Sequence, residues 1–267
     1  MKTNPKLTRQ QIIQSLQQAL EAKPYVYAMW EAGSAAFGRI DDWSDIDLHV
    51  DVADEHVSDV FQTVESVLAE LSPIELKYEV PQPTWHGLAQ TLYRLQEAGE
   101  FAMVDLAVVK HSNPHKFLES ELHGQARVLF DRAEVIQVPS LDWEALESTL
   151  RTRLDTLRIT FDLFQRLVIK EIYRQNPMDA FAFYQRYTIG PLVEVLRMKF
   201  QPARYQFGMR YLYYDLPMET ARELQELVFV YNLDDLEQKY TRTVAWFDQV
   251  WQELHNNGPL FFHRNMI

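Results

Sequence analysis

Apolar residues in the first half of the chain recur with two different periods. In Asp45-Ile46-Asp47-Leu48-His49-Val50-Asp51-Val52 they alternate, so Ile46, Leu48, Val50 and Val52 share one face of a strand and the acids and His49 take the other. Tyr25 to Trp30 reads as a strand rich in β-formers, and Ile74 to Val80 as another. The stretch from Thr91 to Lys110 reads as a hairpin, with strands over 91–96 and 101–109 and a turn at Glu97-Ala98-Gly99-Glu100. Ala126 to Asp131 looks like a last strand.

Between these runs the period lengthens to that of a helix. Thr8 with Gln11 makes a capping box, Leu7 and Ile12 sit where a hydrophobic staple would, and Ile12, Ile13, Leu16 and Leu20 form one stripe. Val57, Val60, Phe61, Val64, Val67, Leu68 and Leu71 mark a second helix, read as the crossover of a βαβ unit in a mixed sheet. From Asp142 onward the pattern is helical: Trp143, Leu146, Leu150, Leu154, Leu157, Phe161, Phe164, Val168 and Ile172 recur at steps of three or four. Stretches around 178–200, 219–231 and 233–255 repeat the habit and predict a bundle. Ile159, Leu163 and Leu167 put a second apolar face on the long helix, which predicts a helix sandwiched between layers. Pro139 and Ser140 mark a boundary. The expectation is an α+β chain, with a mixed-sheet domain over 1–138 and a helical domain over 139–267.

Composition narrows the class. The 267 residues contain no cysteine, which excludes disulfides and thiolate metal sites and fits a reducing compartment. The polar start, residues 1–6, lacks an apolar signal core, and no run approaches a membrane span, so a cytoplasmic protein without membrane partners is expected. The net charge of −12 leaves no basic track for many phosphates, which argues against a nucleic-acid partner.

The acidic strand carries the chemistry. Along a strand, Asp45 and Asp47 have Cα atoms about 6.5–7 Å apart, so their carboxylates can converge on divalent ions about 3.5–4 Å apart. Acids that close repel each other unless a cation lies between them. Upstream, the Gly33-Ser34 turn after the first strand suits a phosphate: Gly33 has no Cβ to bar close approach, and Ser34 adds a hydroxyl donor. Asp105 is the single charge within 101–109 and is paired, a metal ligand, or exposed on an edge. If its strand lies beside that of Asp45, three carboxylates share one face. His49 and Asp51 continue that face and are expected to be solvated. Trp43 is read as a partly buried packing group, with stacking on a base as the alternative.

Gly33-Ser34, Asp45-x-Asp47 and Asp105 together resemble the signature of the DNA polymerase β-type nucleotidyltransferase superfamily. Within it, a short α/β domain followed by helices is similar to the bacterial aminoglycoside and lincosamide nucleotidyltransferases, which confer antibiotic resistance. The motif likeness covers roughly residues 25 to 137. It implies transfer of a nucleoside monophosphate, in particular AMP, from ATP or another NTP to a hydroxyl of a small molecule. It also implies two Mg²⁺ ions held by Asp45, Asp47 and Asp105, with Asp105 either a ligand or the proton acceptor. One departure is Phe37, where small stand-alone members carry Arg before the second glycine.

Charge asymmetry adds candidates. Residues 151–211 hold eleven Lys/Arg against five acids, so the remainder of the chain is −18. A basic helical domain facing an acidic one would cover the triphosphate from the side opposite the metals, with catalysis in the cleft between them. Lys170 and Arg174 extend the second face of the long helix and are the leading triphosphate contacts, followed by Arg204 and Arg210. Asp41, Asp42, Asp45, Asp47, Asp51, Asp54 and Glu55 would suit a cationic acceptor such as an aminoglycoside. Two other functions fit the same motif: a regulatory nucleotide-binding module without turnover, and nucleotidylation of a partner protein.

Overall fold

The computed structural model describes residues 7–84 and 86–261. The polar start at 1–6 and the end of the chain at 262–267 lie outside that range. The chain divides into two compact units, Met1–Leu141 and Asp142–Ile267.

The first unit contains a six-stranded mixed sheet: β1 (Val26–Glu31), β2 (Ile46–Val52), β3 (Ile74–Glu79), β4 (Ala89–Leu95), β5 (Met103–Lys110) and β6 (Arg127–Asp131), in spatial order β3-β4-β5-β2-β1-β6. Helices α1 (Arg9–Glu21) and α3 (Val57–Leu71) flank it, and the short α2 (Gly33–Ala36) and α4 (Ser120–His123) sit in its loops. The capping box forms: the Thr8 hydroxyl accepts from the Gln11 N–H, and the Thr8 N–H donates to the Gln11 side chain at 2.9 Å. Leu7 and Ile12 both enter the core. Alternation sorts the sheet residues. Ile46, Leu48, Val50 and Val52 from β2, with Val104, Leu106 and Val108 from β5, pack into one core with the stripes of α1 and α3.

Among the described residues, β2 and β5 form the one parallel pair; the other pairings are antiparallel. Helix α3 does carry the chain from β2 to β3, but β3 lies at the sheet edge with β4 and β5 in between. Two successive antiparallel turns bring β5 back beside β2, so the crossover spans more of the sheet than its length suggests. The edge strand β3 carries Glu75, Lys77 and Glu79, and charges of this kind discourage pairing with another chain.

The second face of the sheet is closed as well. Ala28, Trp30, Leu88, Ala107, Val109 and Leu118 form a smaller core, covered by Phe117, Ala126, Val135 and Ile136 from the irregular segments on either side of β6. This overturns the expectation that Asp51 is solvated. Its carboxylate is 0% exposed and is held by Lys116 Nζ at 2.5 Å and His111 Nδ1 at 2.7 Å. Lys116 Nζ also donates to the carbonyls of Lys110 and His111, tying the covering loop to the end of β5.

The second unit is helical: α5 (Trp143–Tyr173), α6 (Pro177–Tyr184), α7 (Gly190–Phe200), α8 (Leu212–Asp215), α9 (Met218–Val228) and α10 (Leu233–Asn257). Apart from Phe164, which is 37% exposed, the predicted stripe of α5 is its core face, packed on α6, α7 and α10. Its second face is not sandwiched: Ile159 and Leu163 are each 62% exposed. A single π-turn, Gln185–Ile189, joins α6 to α7, and Gln165 satisfies it by donating to the Tyr187 carbonyl at 2.9 Å while accepting from the Thr188 hydroxyl at 2.8 Å. Arg197 and Asp215 are buried as an ion pair at 2.8 Å. No described helix is long and apolar enough to cross a membrane.

Candidate active site

Three carboxylates gather at one end of β2 and β5. Asp47 and Asp105 are direct register partners across the parallel pair, so their side chains leave the sheet on the same face. Asp45 sits just before β2 and accepts a hydrogen bond from the Met103 N–H at the start of β5. Burial pushes all three carboxyls up from their ordinary values, and neighbouring acids add to it at Asp45 and Asp47. Asp47 reaches about 6: burial contributes most, followed by the charges of Asp105 and then Asp45, while Arg9 and the Ser34 N–H act in the opposite direction. Asp45 is raised by burial and by Asp105. Asp105 is raised by burial, partly offset by hydrogen bonding from Gln90 and by His86.

The Gly33-Ser34 turn lies against this cluster. Strand β1 ends at Glu31, the Ala32 N–H donates to the Asp47 carbonyl at 3.0 Å, and α2 begins at Gly33 with φ +52°. A Cβ on Gly33 would fall 1.8 Å from Asp47 Oδ2. The missing Cβ therefore makes room for the Asp47 carboxylate itself, a closer constraint than the open phosphate approach read from the sequence. Ser34 Oγ is buried and, among the described residues, has no hydrogen-bond partner. Gly33→Ala is expected to strain the left-handed backbone by about 1–3 kcal/mol and to displace Asp47, with turnover falling about 100-fold. A thermal melt and a pyrophosphate-release assay on the same preparation measure both effects.

Three imidazoles border the acids. His49 follows Asp47 on the same face; its Nδ1 is sealed from solvent and, among the described residues, hydrogen-bonds to nothing. Burial, with His123 and His86 nearby, lowers its pKa to about 4, so it is neutral at pH 7. His49 packs 5.3 Å from the Trp30 ring, which corrects the expectation that it is solvated. His86 Nδ1 accepts from the Leu88 N–H at 3.2 Å, so its other nitrogen carries the proton in the neutral form. His123 is held on α4, next to Gly124, where a Cβ would come within 2.7 Å of the Ala36 carbonyl; the Gln125 N–H bonds that same oxygen.

Glu31, buried beside the turn, pairs with Arg9 of α1 at 2.5 Å and with Arg127 of β6 at 3.0 Å. Trp43 is 60% exposed and so is not the packing group expected. Phe37 lies under Arg39, whose guanidinium carbon is 4.9 Å from the ring centroid.

The donors fit Mg²⁺ in kind, since all are hard oxygens that repel one another without a cation. They do not yet form a closed set. Gln90 Nε2 donates to both Asp105 oxygens, at 2.7 and 2.9 Å, and no group of three His, Cys, Asp or Glu side chains among the described residues is arranged to hold a metal ion. In the helical unit, Lys170 and Arg174 are exposed and both pair with the buried Glu171, at 3.6 and 2.9 Å. Arg204 is buried against Asp215 at 3.0 Å, which makes it part of that unit's interior. Arg210 leans on Tyr211. Asp51 and Asp54 are likewise engaged, Asp54 by the Ser112 N–H at 3.0 Å, so neither belongs to an open acidic field.

Sequence reasoning missed Gln90, His86, His123, Arg9 and Glu31. None belongs to a motif, and the predicted strand began one residue after Gln90. Its place beside Asp105 follows from the hairpin register, in which Leu92 faces Asp105 and Gln90 faces Ala107.

No family model and no curated protein matches the chain. Among solved structures it is similar to an aminoglycoside 6-adenyltransferase from Bacillus subtilis, at 12% identity over 92% of this chain and 89% of that one, with a TM-score of 0.38. It is also similar to a spectinomycin adenyltransferase from Enterococcus faecialis, solved with ATP and spectinomycin, at 10% identity over 92% of this chain and 100% of that one, with a TM-score of 0.33. At these identities and TM-scores the likeness assigns no role to any residue of this chain.

Proposed function

We propose that the protein transfers a nucleoside monophosphate, AMP from ATP in the first instance, to a hydroxyl of a small molecule. The observation that carries this reading is the placement of Asp47 and Asp105 as partners on parallel strands, with the Gly33 backbone pressed against the Asp47 carboxylate. In this reading Asp45 and Asp47 hold Mg²⁺, and Asp105 completes the second site. Bound there, two cations supply the charge neutralisation that an in-line displacement at phosphorus requires. The acceptor hydroxyl oxygen forms its bond to the α-phosphorus as the bond to pyrophosphate breaks, and the hydroxyl proton passes to Asp105 or, where Asp105 serves as a ligand, to water.

The chain's own residues shape the rest. Ser34 contributes an unsatisfied buried hydroxyl beside the acids, which suits a phosphate oxygen. Neutral His49 and the Trp30 ring line the floor without adding positive charge that would compete with a cation. Lys170 and Arg174 remain the proposed triphosphate contacts, and each would have to share its charge with Glu171. The net charge of −12 favours a small acceptor over a nucleic acid.

The test is incubation of the purified chain with α-labelled ATP, Mg²⁺ and a panel of hydroxylated small molecules, including amine-bearing ones. Pyrophosphate release coupled to label on one acceptor is the expected result. ATP binding without pyrophosphate release in any mixture would instead identify a regulatory module. Label appearing on protein in a cell lysate, and on no small molecule, would identify modification of a partner protein.

A further inference from the structure

We propose that Gln90 is a positioning residue that holds Asp105 away from the cation site and yields it only in a second step. This rests on the nucleotidyl-transfer reading above and deepens it. Gln90 and Asp105 lie on adjacent antiparallel strands, two pairs apart in register and so on the same face, as diagonal neighbours. One amide nitrogen reaches both carboxylate oxygens, at 2.7 and 2.9 Å, so it occupies the space between them where a cation would sit most favourably. Hydrogen bonds to a charged acceptor are among the stronger ones a side chain makes. Asp45, by contrast, is bonded by a backbone N–H, and Asp47 by the Ser34 N–H together with the field of Arg9. Among the described residues neither of those two acids is clamped by a side-chain donor, and Asp47 lies against the Gly33-Ser34 turn that a triphosphate would enter.

The three acids are therefore not equivalent. The Asp45–Asp47 pair is ready for a cation, whereas Asp105 must first lose at least one hydrogen bond from Gln90. Cation binding becomes ordered: the first ion binds to the pair, and the second when the Gln90 amide turns away. The same arrangement accounts for the lack of a closed three-donor set among the described residues.

The experiment is a Mn²⁺ titration of the full chain at pH 8, read by electron paramagnetic resonance, on the parent, Gln90→Leu and Gln90→Asn. The parent is expected to show one tight and one weak site. Gln90→Leu is expected to tighten the weak site about 10-fold, because the competing hydrogen bond is gone, and to leave the tight site unchanged. Gln90→Asn, whose amide is one methylene too short to reach both oxygens, is expected to do the same and stands in if the leucine variant does not fold. A weak site that is unchanged or weakened in the folded variants overturns the role of Gln90 while leaving the nucleotidyl-transfer reading in place. Two sites of equal affinity in the parent do likewise. A parent that binds no Mn²⁺ overturns both.

Discussion

Asp47→Asn is expected to lower turnover by about three orders of magnitude, because it removes a charged ligand from the centre of the site. The same variant is expected to be more stable than the parent in divalent-free buffer at pH 8. Burial and two neighbouring acids push the Asp47 carboxyl up to about 6, against an ordinary value of 3.8. Between those two values the folded chain binds more protons than the unfolded chain, so stability falls as the pH rises from about 4 to about 6. Above that window the whole penalty, on the order of 2 kcal/mol, is present. Asparagine carries no charge and escapes it, while keeping an oxygen to accept from the Ser34 N–H. Urea denaturation at pH 4, 6 and 8 should show the parent losing stability along this series and the variant losing less, since Asp45 and Asp105 are raised as well. A variant less stable than the parent at pH 8 would identify Asp47 as a structural acid and defeat its assignment as a cation ligand.

Arg197→Met is expected to destabilise the helical unit by about 3–5 kcal/mol, a large share of the 5–15 kcal/mol typical of a domain. Arg197 is 0% exposed and pairs with an equally buried Asp215. Its guanidinium also donates to the carbonyls of Gly208 and Arg210, with a longer contact to that of Arg204. One side chain thus satisfies three carbonyls between α7 and α8, where a short 3₁₀ stretch over Pro202–Phe207 runs into a turn. Methionine fills much of the space but leaves those carbonyls without donors and leaves Asp215 with Arg204 as its remaining partner among the described residues. A urea midpoint shifted by less than about 1 kcal/mol would show that the turn is supported some other way. Adding Asp215→Asn to Arg197→Met is expected to recover part of the loss, because the stranded charge is what costs most.

The parts of the fold that repeat were legible in the sequence. Alternation gave β2 and sorted its apolar residues onto the core face, the hairpin pattern gave β5, and helical spacing gave α1, α3, α5 and α10. The acids at 45, 47 and 105 were legible because a charge on a regular strand is conspicuous. Irregular segments carry no such period, and the errors trace to them. The loops around β6 cover the second face of the sheet, so His49 and Asp51 are enclosed although nothing in their own strand says so. Arg204 was read as a candidate triphosphate contact, and its burial against Asp215 went unseen because the segment that encloses it has no period. Gln90 was passed over for a different reason: a neutral polar residue in a strand draws attention only once a partner strand sets a carboxylate beside it.

The one parallel pairing also has a consequence for how the protein is made. Between β2 and β5 the chain must complete α3, β3 and β4, so residues 47 and 105 cannot meet until two later hairpins have closed. The hydrogen bonds within each helix of the second unit are local by comparison and can form early. After dilution from denaturant, ellipticity should therefore recover ahead of the ability to capture a divalent ion, and a nascent chain released before residue 110 would carry the motif without the affinity.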